Sequence, residues 1–377
     1  MTARPRNVAA RIHREGVKSM AIAIEEMSAR TADAKYVEKA KSLPSLIVSA
    51  DSHVDEPITL WDSMPANLRE QLPQLMSYPP DKRPQGGLDP KQRLIDMDRD
   101  GVAAEVLYPT VTLRTFATKK EVQEPAFRLY NDWLAEYCAT SPKRLFGVPC
   151  LAVYDIDVAI KELHRCLDMG LIGGLIWQVP HPDLPILSGH YEKLWAAAAE
   201  AGAVMNFHIL SGFNYKVGPT AKGMEKIRGS VNIKTQDAVT TVYDLIWSGV
   251  FNRHPKLKVE IVESEIGWLP FVLQQWDYYY KRFSKPGPAQ EKFEIDRLPS
   301  EIFTEHFYAT FMDDFVGAQA LKYWGDKNCM WSSDYPHANM TWPNSRTFLA
   351  KQIGDLDPAR QKSLLSQNVI DLYKLKL

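Results

Sequence analysis

Four residues able to bind a cation or carry a proton each follow a short apolar run. Asp51 and His53 come after Leu46-Ile47-Val48, His208 after Ala203-Val204-Met205-Asn206-Phe207, and Asp334 after Cys329-Met330-Trp331. Runs of this length and composition read as buried strands, and polar groups at the C-terminal ends of separate parallel strands are how an α/β barrel builds a metal site. Asp51 and His53 are two apart on an extended segment, so both side chains point to one side and can meet one ion. A carboxylate buried at the depth of Asp334 needs a metal, a protonated base or an arginine. Glu263 ends the run Val259-Glu260-Ile261-Val262. Strand alternation puts Glu263 and Glu265 on one face and Glu260 on the other.

Each of these residues also has a plainer reading. A D-x-H triplet can cap a helix or join a surface network. His208 can be a hydrogen-bonded core residue, and Glu263 an acid at a helix N-terminus. Glu56 is a further candidate ligand, or an acceptor behind the ligands. His337, three residues past Asp334, is a candidate proton donor, with a place on the barrel rim as the alternative. Arg114 and Arg346 can each grip a carboxylate or phosphate through a bidentate fork, or simply form salt bridges. Trp177, Gln178, Phe311 and Trp342 would line an apolar, aromatic pocket if they are not core.

Positioning these groups requires strands, and eight candidates appear: Leu46 to Ala50, Ala104 to Tyr108, Leu145 to Cys150, Leu171 to Trp177, Val204 to His208, Val259 to Val262, Phe307 to Thr310 and Cys329 to Ser332. Amphipathic stretches alternate with them, among them Pro125 to Thr140, Asp155 to Met169, Tyr191 to Ala201 and Gly317 to Tyr323. This pattern predicts an α/β fold, the (β/α)8 TIM-type barrel, over residues 46–377. Residues 1–45 are polar with helix-compatible stretches and predict a helical arm against the barrel exterior or a second subunit, with a loose extension as the alternative. Two long mouth loops are expected. One spans about 57 to 95, rich in proline and expected as an irregular flap; the other, about 210 to 235, carries Gly212, Gly218, Gly223 and Gly229.

Composition narrows the partners. Lys plus Arg (45) balances Asp plus Glu (46), so no global field draws the chain to nucleic acid or an anionic membrane, and a small-molecule substrate is expected. No apolar stretch approaches the ~18 residues of a membrane span. The four cysteines lack a C-x-x-C spacing and read as reduced core residues of a cytoplasmic protein.

A wider set of motifs carries a resemblance. Asp51-x-His53-x-x-Glu56-Pro57, Asp96-Met97-Asp98-x-x-Gly101-Val102, Tyr191-x-x-Leu194-Trp195, Phe207-His208, Pro255-x-Leu257-Lys258-Val259, Glu263-Ser264-x-Ile266-Gly267-Trp268-Leu269-Pro270, Trp331-x-Ser333-Asp334-Tyr335-Pro336-His337 and Asn368-x-x-x-x-Tyr373 follow in order from residue 46 to the C-terminus. Together they resemble the amidohydrolase superfamily, in its group related to aminocarboxymuconate-semialdehyde decarboxylase. The resemblance implies a (β/α)8 barrel holding a divalent metal on Asp51, His53, His208 and Asp334. The chain departs from the family pattern twice, with Asp51 where many members have His or Glu, and Glu263 where many have His. That makes the site richer in oxygen, pointing to zinc, iron or manganese and allowing one ion or two.

The expected activity is hydrolysis by a metal-activated water of an amide, ester, thioester or C–C bond in a small, partly apolar carboxylic substrate, with Asp334 as ligand and general base. The alternative is non-oxidative decarboxylation or hydration of an aromatic or unsaturated acid. A second alternative is an inactive barrel serving as a binding or scaffold subunit. By analogy with other barrels bearing N-terminal arms, a homo-oligomer, specifically a dimer, is expected.

Overall fold

A computed structural model describes residues 34–213, 222–225, 229 and 234–377. Its strands are β1 (Val48–Val54), β2 (Ala104–Pro109), β3 (Leu145–Gly147), β4 (Gly174–Val179), β5 (Val204–Gly212), β6 (Lys258–Val262), β7 (Phe307–Phe311) and β8 (Cys329–Trp331). Each overlaps one of the eight predicted runs. Every strand pair is parallel, and the pairs form two arcs, β1 to β3 and β4 to β8. Backbone hydrogen bonds stitch both seams. Leu175 N–H donates to Pro149 O (2.8 Å) and Leu151 N–H to Leu175 O (2.9 Å), while Asp334 N–H donates to Asp51 O (3.1 Å) and His53 N–H to Tyr335 O (2.6 Å). The ring is the (β/α)8 barrel. Its strands are buried almost throughout, as parallel strands covered on both faces must be.

The helices used below are α1 (Ala34–Ala40), α2 (Pro90–Asp100), α3 (Lys120–Ala139), α4 (Ile156–Asp168), α5 (Glu192–Ala201), α6 (Gln236–Trp247), α7 (Leu269–Phe283), α8 (Pro299–His306), α9 (Phe315–Ala320), α10 (Ser345–Ile353) and α11 (Asn368–Tyr373). Local chemistry sets their ends. Asp89 accepts from Lys91 N–H (2.9 Å) ahead of Pro90 at the first position of α2, and Gly101 ends that helix at φ 76°, where a Cβ would be strained. α3 starts five residues before the predicted Pro125, which therefore sits inside it. α9 starts at Phe315 rather than Gly317 because the Asp314 carboxylate caps it through Gly317 N–H (2.7 Å).

The proline-rich segment after β1 is strapped down rather than free. Asp55 N–H donates to Gly87 O (2.9 Å) and Arg83 pairs with Asp55 (2.9 Å). The Tyr137 hydroxyl donates to Gly86 O. A Cβ at Gly86 would collide with the Tyr335 hydroxyl and one at Gly87 with the Asp55 carboxylate, so the strap lies close because both are glycine. Beneath it a cavity of about 240 Å³ is walled in part by Pro57, Ile58, Met76, Tyr78 and Leu88.

Of the predicted arm, residues 1–33 lie outside the described residues. The described part, α1, packs on the barrel's own α10: Lys39 pairs with Asp355 (2.7 Å), and the Arg346 guanidinium donates to Ala40 O, Leu43 O and Pro44 O. In the second loop Gly218 also lies outside the described residues, while Gly212 closes β5 at φ 109°. All four cysteines are free and buried. Among the described residues no helix is long and apolar enough to cross a membrane.

Candidate metal centre

β1 gives up its regular register where the chemistry begins. Ser49 pairs with Glu105 and Ser52 with Leu107, so three residues of β1 span two of β2. Such a bulge re-aims side chains, and it sends both Asp51 and His53 toward the barrel axis. β5 bulges likewise: Trp177 pairs with His208 and Val179 with Gly212, with Leu210 at φ 66° between. The acids also stand on strained backbone. Glu263 and Glu265 both have φ 57° and Asp334 has φ 53°, a left-handed conformation costing a non-glycine residue on the order of 1–3 kcal/mol. Three such residues at one barrel mouth mark a site whose geometry the surrounding fold imposes.

The side chains converge. Asp51, His53, His208 and Glu263 each offer one ligand atom within 4.8 Å of the others, and so do His53, Glu263, Asp334 and His337. His53 Nε2 lies 3.4 Å from Asp51 Oδ1, 3.5 Å from Asp334 Oδ1 and 3.9 Å from Glu263 Oε2. His208 Nε2 lies 3.6 Å from Asp51 Oδ1 and 3.7 Å from Glu263 Oε2. Asp51, His53, His208 and Asp334 are fully buried.

The rings are fixed from behind. Nδ1–H of His53 donates to Pro109 O and that of His208 to Ile209 O, both at 2.8 Å, which leaves each Nε2 lone pair facing the cluster. Those two Nε2 atoms, both Asp51 carboxylate oxygens and Asp334 Oδ2 are buried without a hydrogen-bond partner among the described residues. One such orphan is costly. Five around one point would be satisfied together by a divalent cation, and imidazole plus carboxylate donors suit zinc, iron or manganese.

Electrostatics agree. Burial, then the neighbouring His337 and His208, hold the His53 imidazole well below its usual value, keeping it neutral. Burial, then the charge of Asp51, pushes the Asp334 carboxyl well above its usual range. Burial, then Asp334, pushes Glu263 up to about 8. At His208 burial pulls down, but the Asp51 carboxylate 3.6 Å away outweighs it and the net direction is up. Three carboxylates crowded into a dry pocket need positive charge, and a cation would draw all of these values down.

His337 completes the cluster. Its Nδ1 lies 2.7 Å from Asp334 Oδ1, its Nε2 3.1 Å from Thr110 Oγ1, and its ring stands 3.9 Å from that of His53. Burial, then Arg83, lowers it to about 3, so it is a neutral imidazole donating to Asp334 and accepting from Thr110.

Other expected site residues are placed elsewhere. Glu56 accepts the backbone N–H groups of Thr110, Val111 and Thr112, so its carboxylate braces the loop after β2 and is absent from the cluster. Arg346 is consumed by the three carbonyls behind α1, which replaces the substrate-binding role expected of it. Trp342 is likewise tied by its indole N–H to Asp96 O (3.0 Å) and packs on Tyr335, holding α2 rather than lining a pocket. Phe311 is buried at the end of β7, and Arg114 is exposed. Trp177 stands in register beside His208 and forms an aromatic wall with Tyr154 (4.9 Å) and Phe213 (5.9 Å), His181 closing it against Phe213 (4.9 Å). Next to it the Gln178 side-chain amide is buried with neither polar atom partnered among the described residues.

Sequence reasoning missed two cations. Lys234 Nζ lies 3.8 Å from Glu263 Oε1 and 3.6 Å from Glu265 Oε1, and Arg83 reaches the site through Asp55. Neither lies in a periodic element that a sequence pattern could single out. Sequence reasoning also missed a polar layer below the cluster. There Tyr373 donates to Asn206 Oδ1 (2.6 Å) and to Glu260, and Tyr108 to Asn206 Oδ1 (2.8 Å).

The fold recurs in known proteins. The gamma-resorcylate decarboxylase of Rhizobium radiobacter is 26% identical over 285 residues, 68% of this chain and 80% of the relative. Among solved structures, an amidohydrolase from Mycobacterium avium subsp. paratuberculosis superposes with TM-score 0.73 at 18% identity, covering 88% of this chain and all of that one (100%). A dihydroxybenzoic acid decarboxylase from Polaromonas sp. JS666, with bound manganese and the inhibitor 2-nitroresorcinol, gives TM-score 0.64 at 21% identity over 88% of this chain and 97% of its own. The amidohydrolase family pattern itself matches residues 50–375, from the bulge of β1 to just past α11, and the chain belongs to the amidohydrolase family.

Proposed function

We propose that this enzyme is a metal-dependent, non-oxidative decarboxylase of an aromatic acid. The observation that carries the reading is the convergence of five buried, unpartnered donor atoms from Asp51, His53, His208 and Asp334 on one point. Such a centre is suited to a carboxylate, and Trp177 of β4 stands in register beside His208. The decarboxylase relatives support this alternative better than the hydrolysis that the residues alone put first. The scaffold alternative predicts no reason for five buried, unpaired donors to meet.

Asp51, His53, His208 and Asp334, with Glu263 facing them, would hold the cation, and manganese suits the oxygen-rich set. A divalent cation there supplies a Lewis acid that draws charge from an oxygen of the substrate. Trp177, buried in register beside His208, keeps water from that side of the centre. The acid's proton would be held at Asp334, which His337 fixes in place through Nδ1, 2.7 Å from Asp334 Oδ1. Asp334 Oδ transfers that proton to the ring carbon bearing the carboxylate. The bond between that carbon and the carboxyl carbon then breaks, its electron pair returns to the ring, and carbon dioxide leaves. His337 is a positioning residue in this scheme.

The test is turnover of 2,6-dihydroxybenzoate and other carboxylated phenols in D2O by manganese-loaded protein. The expected result is one carbon dioxide per arene formed, with one deuterium at the vacated ring position. Cleavage of amides or esters by a preparation that releases no carbon dioxide from any such acid would reject the proposal in favour of hydrolysis.

A further inference from the structure

Glu263 has two faces. Its Oε2 looks into the ligand cluster, 3.7 and 3.9 Å from the two imidazole Nε2 atoms, while its Oε1 looks away toward Lys234 Nζ at 3.8 Å. Lys234 also meets Glu265 Oε1 at 3.6 Å, and the other oxygen of Glu265 is pinned by Met312 N–H (3.0 Å). The ammonium therefore sits where two carboxylates open outward from the metal centre. A carboxylate with one oxygen on a first cation and the other turned to a neighbouring carboxylate is the arrangement that bridges a second cation.

The geometry points to Lys234 as a built-in cation that takes the second metal position and restricts the centre to one divalent ion. Charge decides the point. Asp51, Glu263, Asp334 and Glu265 bring four carboxyl groups together in a dry pocket, where unbalanced charge is costly. One divalent ion among the first three and the ammonium between Glu263 and Glu265 offset them. Without Lys234, Glu263 and Glu265 lose that ammonium, and a second divalent ion is the group able to replace it. Glu263 directly follows β6 and Lys234 precedes α6, so the device is assembled from two separate loops of the barrel mouth. It rests on the metal centre and not on the reaction assigned to it.

The experiment counts ions. Full-length wild type, Lys234→Gln, Lys234→Met and Lys234→Arg are stripped with chelator and reloaded with excess Mn2+. After desalting, metal is measured per chain and the electron paramagnetic resonance spectrum recorded. Wild type and Lys234→Arg are expected to hold one ion with an isolated Mn2+ signal. Lys234→Gln and Lys234→Met are expected to approach two ions, with an exchange-coupled signal from the bridged pair. Adding Glu265→Gln to either should return the count to one. Two coupled ions in wild type, or one ion in both uncharged variants, would overturn the assignment of Lys234. No ion in wild type would instead overturn the metal centre itself, and turnover enters neither outcome.

Discussion

Glu260 gives a sharp test of how this barrel holds charge below its reactive end. It lies on β6 opposite Asn206 of β5, facing the axis, fully buried. One carboxyl oxygen receives the Tyr373 hydroxyl and more weakly that of Tyr108 (3.5 Å), while Oε1 has no partner among the described residues. Burial first, and the charge of Asp51 after the opposing Tyr373 bond, push the carboxyl from its ordinary 4.5 up to about 8. The folded state then binds a proton that the unfolded chain has released, throughout the window between those values. Stability from this group is fully present below about 4.5 and is lost as pH rises toward 8, at about 1.4 kcal/mol per pH unit. Glu260→Gln keeps the shape and removes the titration. Its stability relative to wild type is therefore expected to climb by about that amount per unit from pH 5.5 to 7.5 and to level off above 8. Melting of metal-loaded wild type and variant across this range measures the difference, in which the other groups cancel. Infrared spectra should also show the carbonyl stretch of a neutral carboxylic acid at pH 7 in wild type and lose it in Glu260→Gln. A difference that stays flat with pH would refute the reasoning.

The ligand set predicts that His208→Ala and Asp334→Ala lower bound metal and abolish turnover while circular dichroism stays unchanged; near-wild-type activity in either would remove that residue from the set. His337→Ala should keep the metal and slow the rate by roughly 10- to 100-fold, the scale of a lost orienting partner, and an unchanged rate would place His337 outside the machinery. Arg93 is buried, donates to Glu105 (2.5 Å) and to His53 O (2.7 Å), and so ties α2 to the ligand strand. Arg93→Met should destabilise by about 3–5 kcal/mol because it strands the Glu105 charge, and Arg93→Met with Glu105→Met should recover most of that loss in the same melting assay.

Apolar runs made the eight strands legible, because parallel strands buried on both faces must be continuous apolar segments bounded by polar turns. The candidate ligands were legible for the same reason, since a buried carboxylate or imidazole at the end of such a run has few ways to be satisfied. What stayed hidden is what depends on backbone irregularity. Alternation put Glu263 and Glu265 on one face, and both do meet Lys234, yet each does so from a left-handed conformation in which strand alternation no longer applies. Glu260 was read as pointing away from them, and it points into the barrel one layer deeper. Arg346 and Trp342 have the chemistry of substrate contacts, but a guanidinium and an indole N–H near an uncapped carbonyl are captured by it, and only the fold shows that Ala40, Leu43, Pro44 and Asp96 supply those carbonyls. Lys234 is the converse case, a lysine in a glycine-spaced loop with no periodic signal around it. Charge balance picks it out once the carboxylates have been brought together. A sequence shows where a charge must be buried, and the assembled barrel shows what neutralises it.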